Sequence, residues 1–152
     1  MKSEDKPLFD RLSSVEALAL TIWAEARGES HDGQLAVGYV ILNRAMQWHK
    51  SIKEVCYAPN QFSCYNSNDK QYPRLVEISK DFSKALSEIK SLPKCYDVAY
   101  IIFCSPLEST VGDALYYRVI GYPNKWFDES IKSGKLIKVC TIEHHEFFKE
   151  AI

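Results

Sequence analysis

The chain has 152 residues and a formal net charge of −1; 46% of its residues are hydrophobic and 26% are charged. This length suits one domain with a sizeable core, and the apolar runs are too short and too interrupted to span a bilayer. The nearly neutral charge gives no indication of binding to nucleic acid or to an anionic membrane, so we expect neither as a partner.

Residues 1–12 read as a polar lead-in to the folded domain. The segment from Met1 to Pro7 lacks the apolar core of a secretory signal. We therefore expect the chain to be made in the cytoplasm and not to leave it unaided by the general secretory route.

A first helix is predicted over residues 14–27. Ser13 and Glu16 have the spacing of a capping box, in which each side chain bonds the backbone N–H of the other residue. Apolar residues then recur at helical spacing as far as Ala26, and Gly28 is a plausible stop.

The end of this helix carries two carboxylates, Glu25 and Glu29. Thr21 and Ile22 lie one turn before Glu25, so its side chain should emerge close to the core. A carboxyl group in apolar surroundings has a raised pKa, which a general acid at neutral pH requires. Glu29 would face the same way if the helix continued that far. The alternative is an exposed, charged helix end with no chemical role.

A second helix should begin after its cap Ser30, with a mostly apolar stretch from Leu35 to Trp48. Its polar residues Asn43 and Arg44 either satisfy polar groups near the core or reach a site. Ser51 and Glu54 repeat the capping-box spacing and open a short helix that Pro59 must end.

The remaining elements complete a mainly helical α+β domain. We predict a surface run over 66–71, a long helix from about Pro73 to Leu92, and another from about Lys94 to Cys104. The segments 112–119 and 137–142 have the composition or alternation of strands, with turn residues at 121–124. The sheet should be small, antiparallel and late in the chain, with two or three strands.

The five cysteines form no CxxC pair and are odd in number, so reduced and mostly buried thiols are expected. A zinc site built from Cys56, Cys64 and histidines matches no common spacing. We expect neither a metal nor a cofactor.

Several segments, in this order, resemble the SleB-like cell-wall hydrolase family, which includes the spore-cortex-lytic enzymes. The matching segments are Thr21–Glu29, Gly33–Val37, Val40–Arg44, Ser51–Val55, Pro59–Cys64, Ala114–Tyr117, Trp126, and Thr141–Ile142 with His145 and Phe147. The chain departs from the family pattern at Arg118, where Asn is usual, and at Glu143, where Gly is usual. The segment from Tyr65 to Leu92 is also longer and more charged than the family suggests.

This resemblance implies a lysozyme-like fold that cleaves the glycan strands of peptidoglycan. Residues 13–152 would form the catalytic domain, with Glu25 as the catalytic acid. A two-carboxylate mechanism needs groups about 5 to 9.5 Å apart on opposite sides of the bond. Because Glu25 and Glu29 would stack on one helix face, a single-acid mechanism fits better. Glu29 is then a supporting residue, which holds a loop amide or pairs with Arg27 or Arg44.

Other candidate residues would bind the glycan. Gln61, Phe62 and Ser63 could form a cleft wall, although Phe62 could equally be core and Gln61 a plain loop residue. Tyr116 and Tyr117 should alternate in a strand, one facing the core and one the cleft. His145 either orients a carboxylate or is a satisfied core histidine.

The leading hypothesis is a lytic transglycosylase that cleaves the MurNAc-β-1,4-GlcNAc bond and leaves a 1,6-anhydro end. The alternatives are a hydrolytic muramidase and a non-catalytic glycan-binding or virion-associated domain; a metal-dependent amidase using His31, His144 or His145 with Cys64 has poor spacing. We expect a monomer that acts on the wall after release at phage lysis, as an endolysin, or in the spore cortex.

Overall fold

Eight α-helices precede or surround a small sheet in the computed structural model, which describes all residues from Met1 to Ile152. The helices are α1 (Lys6–Asp10), α2 (Ser14–Ala26), α3 (His31–Gln47), α4 (Ile52–Tyr57), α5 (Tyr72–Lys80), α6 (Phe82–Glu88), α7 (Leu92–Cys104) and α8 (Lys125–Lys132). A 3-10 helix covers Ser63–Tyr65, and the strands are β1 (Tyr116–Val119), β2 (Leu136–Ile142) and β3 (His145–Glu150). The predicted fold class, mainly helical α+β with a late antiparallel sheet, is confirmed.

The helix α2 lies at the centre of the core, packed against α3, α4 and α7. It is buried nearly all round because its residues from Ala17 to Ala24 are apolar or, at Thr21, bonded internally. Ser13 and Glu16 form the predicted capping box, as do Ser51 and Glu54 at the start of α4. These reciprocal bonds satisfy N–H groups that a helix start otherwise leaves unpaired.

Close contact between α2, α3 and α7 depends on Gly38. A Cβ atom at this position would lie 2.2 Å from Cδ1 of Ile102 and 3.0 Å from Cδ1 of Ile22. The absence of a side chain therefore lets α3 approach both neighbours, in return for a small loss of helix propensity.

The first twelve residues differ from the expected polar lead-in. They form α1, and the chain inserts Phe9 and Leu12 into the main core. The Phe9 ring packs edge-on against the rings of Tyr57 and Tyr65. This segment is therefore part of the folded domain, since its burial depends on aromatic residues far along the sequence.

The prediction of one long helix from Pro73 to Leu92 is wrong, because the structure has two helices there, α5 and α6. Asp81 has φ −154° and ψ 89°, which ends α5, and its side chain accepts a bond from the N–H of Lys84 to begin α6. The apolar stripe through Leu75, Ile78, Phe82 and Ala85 continues across the break, and all four side chains are buried. The next helix, α7, begins near its predicted start, with Pro93 in its first turn.

The sheet has the antiparallel order β1-β3-β2, with an irregularity between Lys138 and Cys140 in β2. Helix α8 packs against β2. Between the end of α2 and the sheet lies a cleft, into which both the helices and β1 project side chains. None of the eight helices combines the length and the hydrophobicity that crossing a bilayer would need.

Candidate active site

Glu25 is the penultimate residue of α2 and lies where that buried helix reaches the cleft. The residues before it in the last turns are buried, whereas Glu25 is half-buried. Its carboxyl group is therefore fixed by a well-packed helix while one side remains open to the cleft.

Tyr117 of β1 holds this carboxyl group from the opposite side of the cleft. Its hydroxyl donates a hydrogen bond to Oε2 of Glu25 at 3.2 Å. The Tyr117 ring is in turn packed edge-on against His145 at 5.6 Å and beside Phe147 at 5.9 Å. The hydrogen bond therefore comes from a ring that two β3 residues keep in place.

Burial raises the pKa of Glu25 above its ordinary value because the cleft surroundings disfavour the charged form. The Tyr117 hydroxyl and the Arg44 charge oppose this increase, and the charge of Asp69 adds to it. The balance favours a protonated carboxyl group at a higher pH than in water. That is the condition for a general acid near neutral pH.

Two adjacent cavities meet at Glu25. The first cavity, of about 510 Å³, is lined by Glu25, Arg44, Asn60, Gln61, Phe62, Tyr116, Tyr117, Asn124, Trp126 and Phe127. The second cavity, of about 340 Å³, is lined by Glu25, Tyr117, Arg118, Val119, Tyr122, Asn124, Phe127 and His145. Glu25 is the only carboxylate in either set, so the geometry offers one acid with space on both sides of it.

A larger cavity, of about 590 Å³, lies against α1 and α4 and is a poorer candidate for chemistry. Its two carboxylates already have other roles. Asp10 forms an ion pair with Lys6, and Glu54 accepts the N–H of Ser51 in the capping box. Neither group is free to act on a substrate.

Arg44, in the last turn of α3, is buried in the wall of the first cavity. Its Nε donates to the carbonyl oxygen of Leu115 at 2.7 Å. The neighbouring Asn43 donates to the carbonyl oxygens of Gly112 and Ala114. Of the two roles predicted for these residues, Asn43 satisfies polar groups, while Arg44 does this and also reaches the cleft.

The predicted glycan-binding residues are only partly brought together. Gln61 and Phe62 line the first cavity, but Ser63 is exposed at the start of the 3-10 helix and lines neither cavity. Tyr116 and Tyr117 both line the first cavity, although alternation predicted only one. The reason is that Tyr116 packs against Trp126 of α8, whose side chain forms that part of the wall.

His145 is buried as a core histidine would be, but its side chain forms no hydrogen bond to a carboxylate or to any other group. It is buried in β3 against Tyr117, and it lines the second cavity. Burial lowers the pKa of His145, an effect that the carboxylate of Glu29 partly offsets. A neutral imidazole is therefore favoured beside the tyrosine that bonds Glu25.

The supporting roles predicted for Glu29 and Arg27 are not found. Because α2 ends at Ala26, Glu29 leaves the face that carries Glu25 and lies beside Gly33 at the start of α3. Arg27 stacks on the Trp23 ring at 4.4 Å and donates to Oε1 of Gln71 at 2.6 Å. Neither residue lines either of the two cavities at Glu25, and Glu29 forms no ion pair with an arginine.

The sequence did not predict the cavity-lining residues that come from α8 and from the turn before it. Asn124 lines both cavities and caps α8 by accepting the N–H of Phe127, and Trp126 lines the first cavity. Tyr122 lines the second cavity and is 70% exposed. The sequence did contain an indication of their role: Tyr122 and Trp126 lie on either side of Pro123, and a turn alone does not require two aromatic residues.

The two departures from the family pattern have local explanations. Glu143 lies in the turn between β2 and β3 with φ +52°, a conformation that favours glycine. Arg118 pairs with Asp128 of α8 at 2.7 Å and with Glu146 of β3 at 3.1 Å. An asparagine side chain is too short to contact both partners. In this chain Arg118 therefore links α8 to the sheet.

Comparison with known proteins supports this description of the fold. A family model described as Cell Wall Hydrolase matches residues 28–148. The chain is also similar to a solved structure, the catalytic domain of the germination-specific lytic transglycosylase SleB from Bacillus anthracis. The TM-score is 0.63 at 20% identity, over 92% of this chain and 98% of that one. No curated protein gave a significant match. The matched range begins at Gly28, so a role for Glu25 depends on the geometry described above.

Proposed function

Because the chain belongs to the cell wall hydrolase family, we propose that it is a lytic transglycosylase acting on peptidoglycan. Its target is the MurNAc-β-1,4-GlcNAc bond, and Glu25 acts first as general acid and then as general base. The observation that carries this proposal is the lone carboxyl group of Glu25, with a raised pKa, at the meeting point of two cavities.

The reaction begins when protonated Glu25 gives its proton to the glycosidic oxygen, and the bond from that oxygen to the anomeric carbon of MurNAc breaks. The Glu25 carboxylate then takes the proton of the MurNAc C6 hydroxyl, whose oxygen bonds to the anomeric carbon. The products are a 1,6-anhydro end and a free GlcNAc hydroxyl, and no water is consumed. The bound sugar supplies its own nucleophile at high effective concentration.

The residues around Glu25 fit the needs of this cycle. Burial favours the acid form before the reaction, while the Tyr117 hydroxyl stabilises the carboxylate that exists between the two proton transfers. A second carboxylate, which two-carboxylate glycosidases require about 5 to 9.5 Å away, is not among the residues of either cavity. A single-acid cycle needs none.

The aromatic and amide side chains of the cleft suit an N-acetylated sugar polymer. Trp126 is 44% exposed and presents part of its ring, whereas Gln61 and Asn124 supply amide groups. Pockets of this kind combine apolar surfaces with a few polar groups that set orientation. A glycan strand passing Glu25 would occupy both cavities.

Mass spectrometry of digested peptidoglycan tests the proposal directly. We expect muropeptides with anhydro ends, lighter by one water than reducing ends. Reducing ends would instead identify a hydrolytic muramidase, with water replacing the C6 hydroxyl. Protein that sediments with purified walls without releasing any fragment would identify a glycan-binding domain.

We also propose that the enzyme meets its substrate after release at phage lysis or in the spore cortex. The solved relative is named as germination-specific, which favours a test on both materials. Parallel digestion of vegetative walls and isolated spore cortex should show faster release from one of them. Equal rates on both would contradict a specialised place of action.

A further inference from the structure

Arg44 is the one charged residue with a buried side-chain nitrogen that has no hydrogen-bond partner. Its side chain makes one hydrogen bond, from Nε to Leu115, and Nη1 is buried without a partner. None of the ion pairs includes Arg44, and the whole residue is only 7% exposed. A guanidinium has five N–H donors, and Nε uses one of them, so the four N–H groups of Nη1 and Nη2 have no partner in the protein. Nη1 is enclosed by protein, whereas Nη2 is not fully buried.

The surroundings of Arg44 supply π-faces but few acceptors. The Cζ atom lies 5.6 Å from the Trp48 ring, 5.5 Å from the Phe62 ring and 5.6 Å from the Tyr116 ring. Such cation–π contacts favour a positive charge, yet they do not replace the hydrogen bonds lost on burial. The bond to Leu115 and these rings together fix the orientation of the guanidinium.

Arg44 lines the first cavity together with Glu25. Nη2 has no partner in the protein and is not fully enclosed, so it can donate to a group that enters that cavity. Such a bond would reduce the cost of leaving donors unpaired near the core. Arginine suits carbonyl and carboxylate oxygens because its planar fork can donate two parallel bonds to them. Sugar hydroxyls alone do not match this geometry as well.

We propose that Arg44 is a specificity-determining residue that binds an acyl oxygen of the glycan in the first cavity. This inference rests on the proposed function, which supplies the substrate. In wall glycan such an oxygen belongs either to an N-acetyl group or to the lactyl group of MurNAc. Arg44 thereby selects acylated amino-sugar polymers over plain polysaccharides, and it holds the sugar beside Glu25.

The test compares the binding of glycan fragments by Glu25→Gln protein with and without Arg44→Lys. Lysine keeps the charge and loses the fork, so a purely electrostatic role would survive the change. The probes are soluble wall glycan, the same glycan after de-N-acetylation, and a β-1,4-GlcNAc oligomer, which has no lactyl group. Arg74→Lys, at an exposed site on α5, is the matched control.

We expect Arg44→Lys to weaken the binding of wall glycan roughly ten- to hundredfold, as loss of a charge-assisted pair does. If the N-acetyl group is the partner, this loss disappears on the de-N-acetylated glycan. If the lactyl group is the partner, the loss persists there and disappears on the GlcNAc oligomer. Arg74→Lys should bind every probe like the parent protein.

Two results would overturn the proposal: no loss on wall glycan, or the same loss on all three probes. The second would mean that the substitution merely disturbs the wall of the cavity, and thermal melting of both variants would show such a disturbance. The proposed function fails separately, because it requires the protein with native Glu25 to release fragments from the wall and the Glu25→Gln protein to release them at least about a hundredfold more slowly.

Discussion

The two walls of the cleft are built in different ways. The helical wall, which supplies Glu25 and Arg44, is continuous with a core of 35 buried residues. The sheet wall is split: Tyr117 packs against that main core, whereas Tyr116 and the α8 residues lie over a separate cluster of three, Phe127, Leu136 and Phe148. Exposed or partly exposed ion pairs around Arg118 complete its connections.

This difference suggests a division of labour. A general acid must keep a fixed position and a stable dry environment, which the deep helical core provides. The proposed recognition of a glycan needs aromatic and polar groups that face the cleft, and Tyr116, Asn124 and Trp126 of the sheet wall line the first cavity. Substitutions in the two walls should therefore affect different quantities.

The largest expected effect on stability is in the helical wall. Ile22→Ala removes a side chain with no exposure and should lower the free energy of unfolding by about 2–5 kcal/mol, through lost burial and a residual cavity. Urea denaturation measures this loss in the free energy of unfolding. The control is Ile137→Ala in β2, where the side chain is 46% exposed and the loss should be much smaller. Equal losses at both sites would contradict the contrast between the walls.

The next largest effect is expected on substrate binding, at the sheet wall. Trp126→Ala should raise KM for soluble wall glycan roughly tenfold, or about 1.4 kcal/mol, because an exposed aromatic anchor is lost. The value of kcat should change little. Tyr100→Ala on the outer face of α7 removes an aromatic ring that is 58% exposed, and it should leave both constants unchanged. A fall in kcat at constant KM would place Trp126 in the chemistry instead.

A smaller effect is expected in the pH profile. The Tyr117 hydroxyl lowers the pKa of Glu25, so Tyr117→Phe should raise that pKa further. In the proposed cycle, activity requires protonated Glu25 and is lost as pH rises through its pKa. The alkaline limb of kcat/KM should therefore move to higher pH, while Tyr100→Phe leaves it in place. A shift to lower pH would show that the hydroxyl does not act on the carboxylate.

The smallest effect concerns the ion pairs of the sheet wall. Arg118→Gln removes the pairs with Asp128 and Glu146 and should cost about 0.2–1 kcal/mol at low salt, and less at high salt because of screening. Lys125→Gln, in an exposed pair with Glu129, is the control and should be neutral. Chemical denaturation at two salt concentrations measures both. A loss that is independent of salt would contradict an electrostatic role.

The same contrast explains how far the sequence could predict the fold. The starts of α2 and α4 were predictable because a capping box marks each of them within four residues: Ser13 with Glu16, and Ser51 with Glu54. The break at Asp81 was not, because the apolar stripe continues past it and only the capping bond interrupts the helix. Phe9 could not be assigned to the core, since its aromatic partners lie about 50 residues or more away.

The candidate site shows the same limit. The position of Glu25 at the edge of the core was predictable because the residues one turn earlier are buried. Trp126 and Asn124 reach the cleft because α8 is held on the sheet by Phe127, which packs against Phe148, and by the Arg118–Asp128 pair. These contacts join residues with no periodic relation in the sequence. Glu29 was misplaced because the prediction needed α2 to continue beyond Ala26, where it ends.

The most direct test of the account is the rate of wall-glycan cleavage by Glu25→Gln beside Glu29→Gln, with melting temperatures to show that both are folded. If the single acid at position 25 drives the reaction, its substitution lowers kcat by about 10²–10⁴, and the Glu29 substitution leaves kcat close to that of the unaltered protein. A Glu25→Gln protein that still cleaves at the original rate, or an equal loss in both variants, would contradict it.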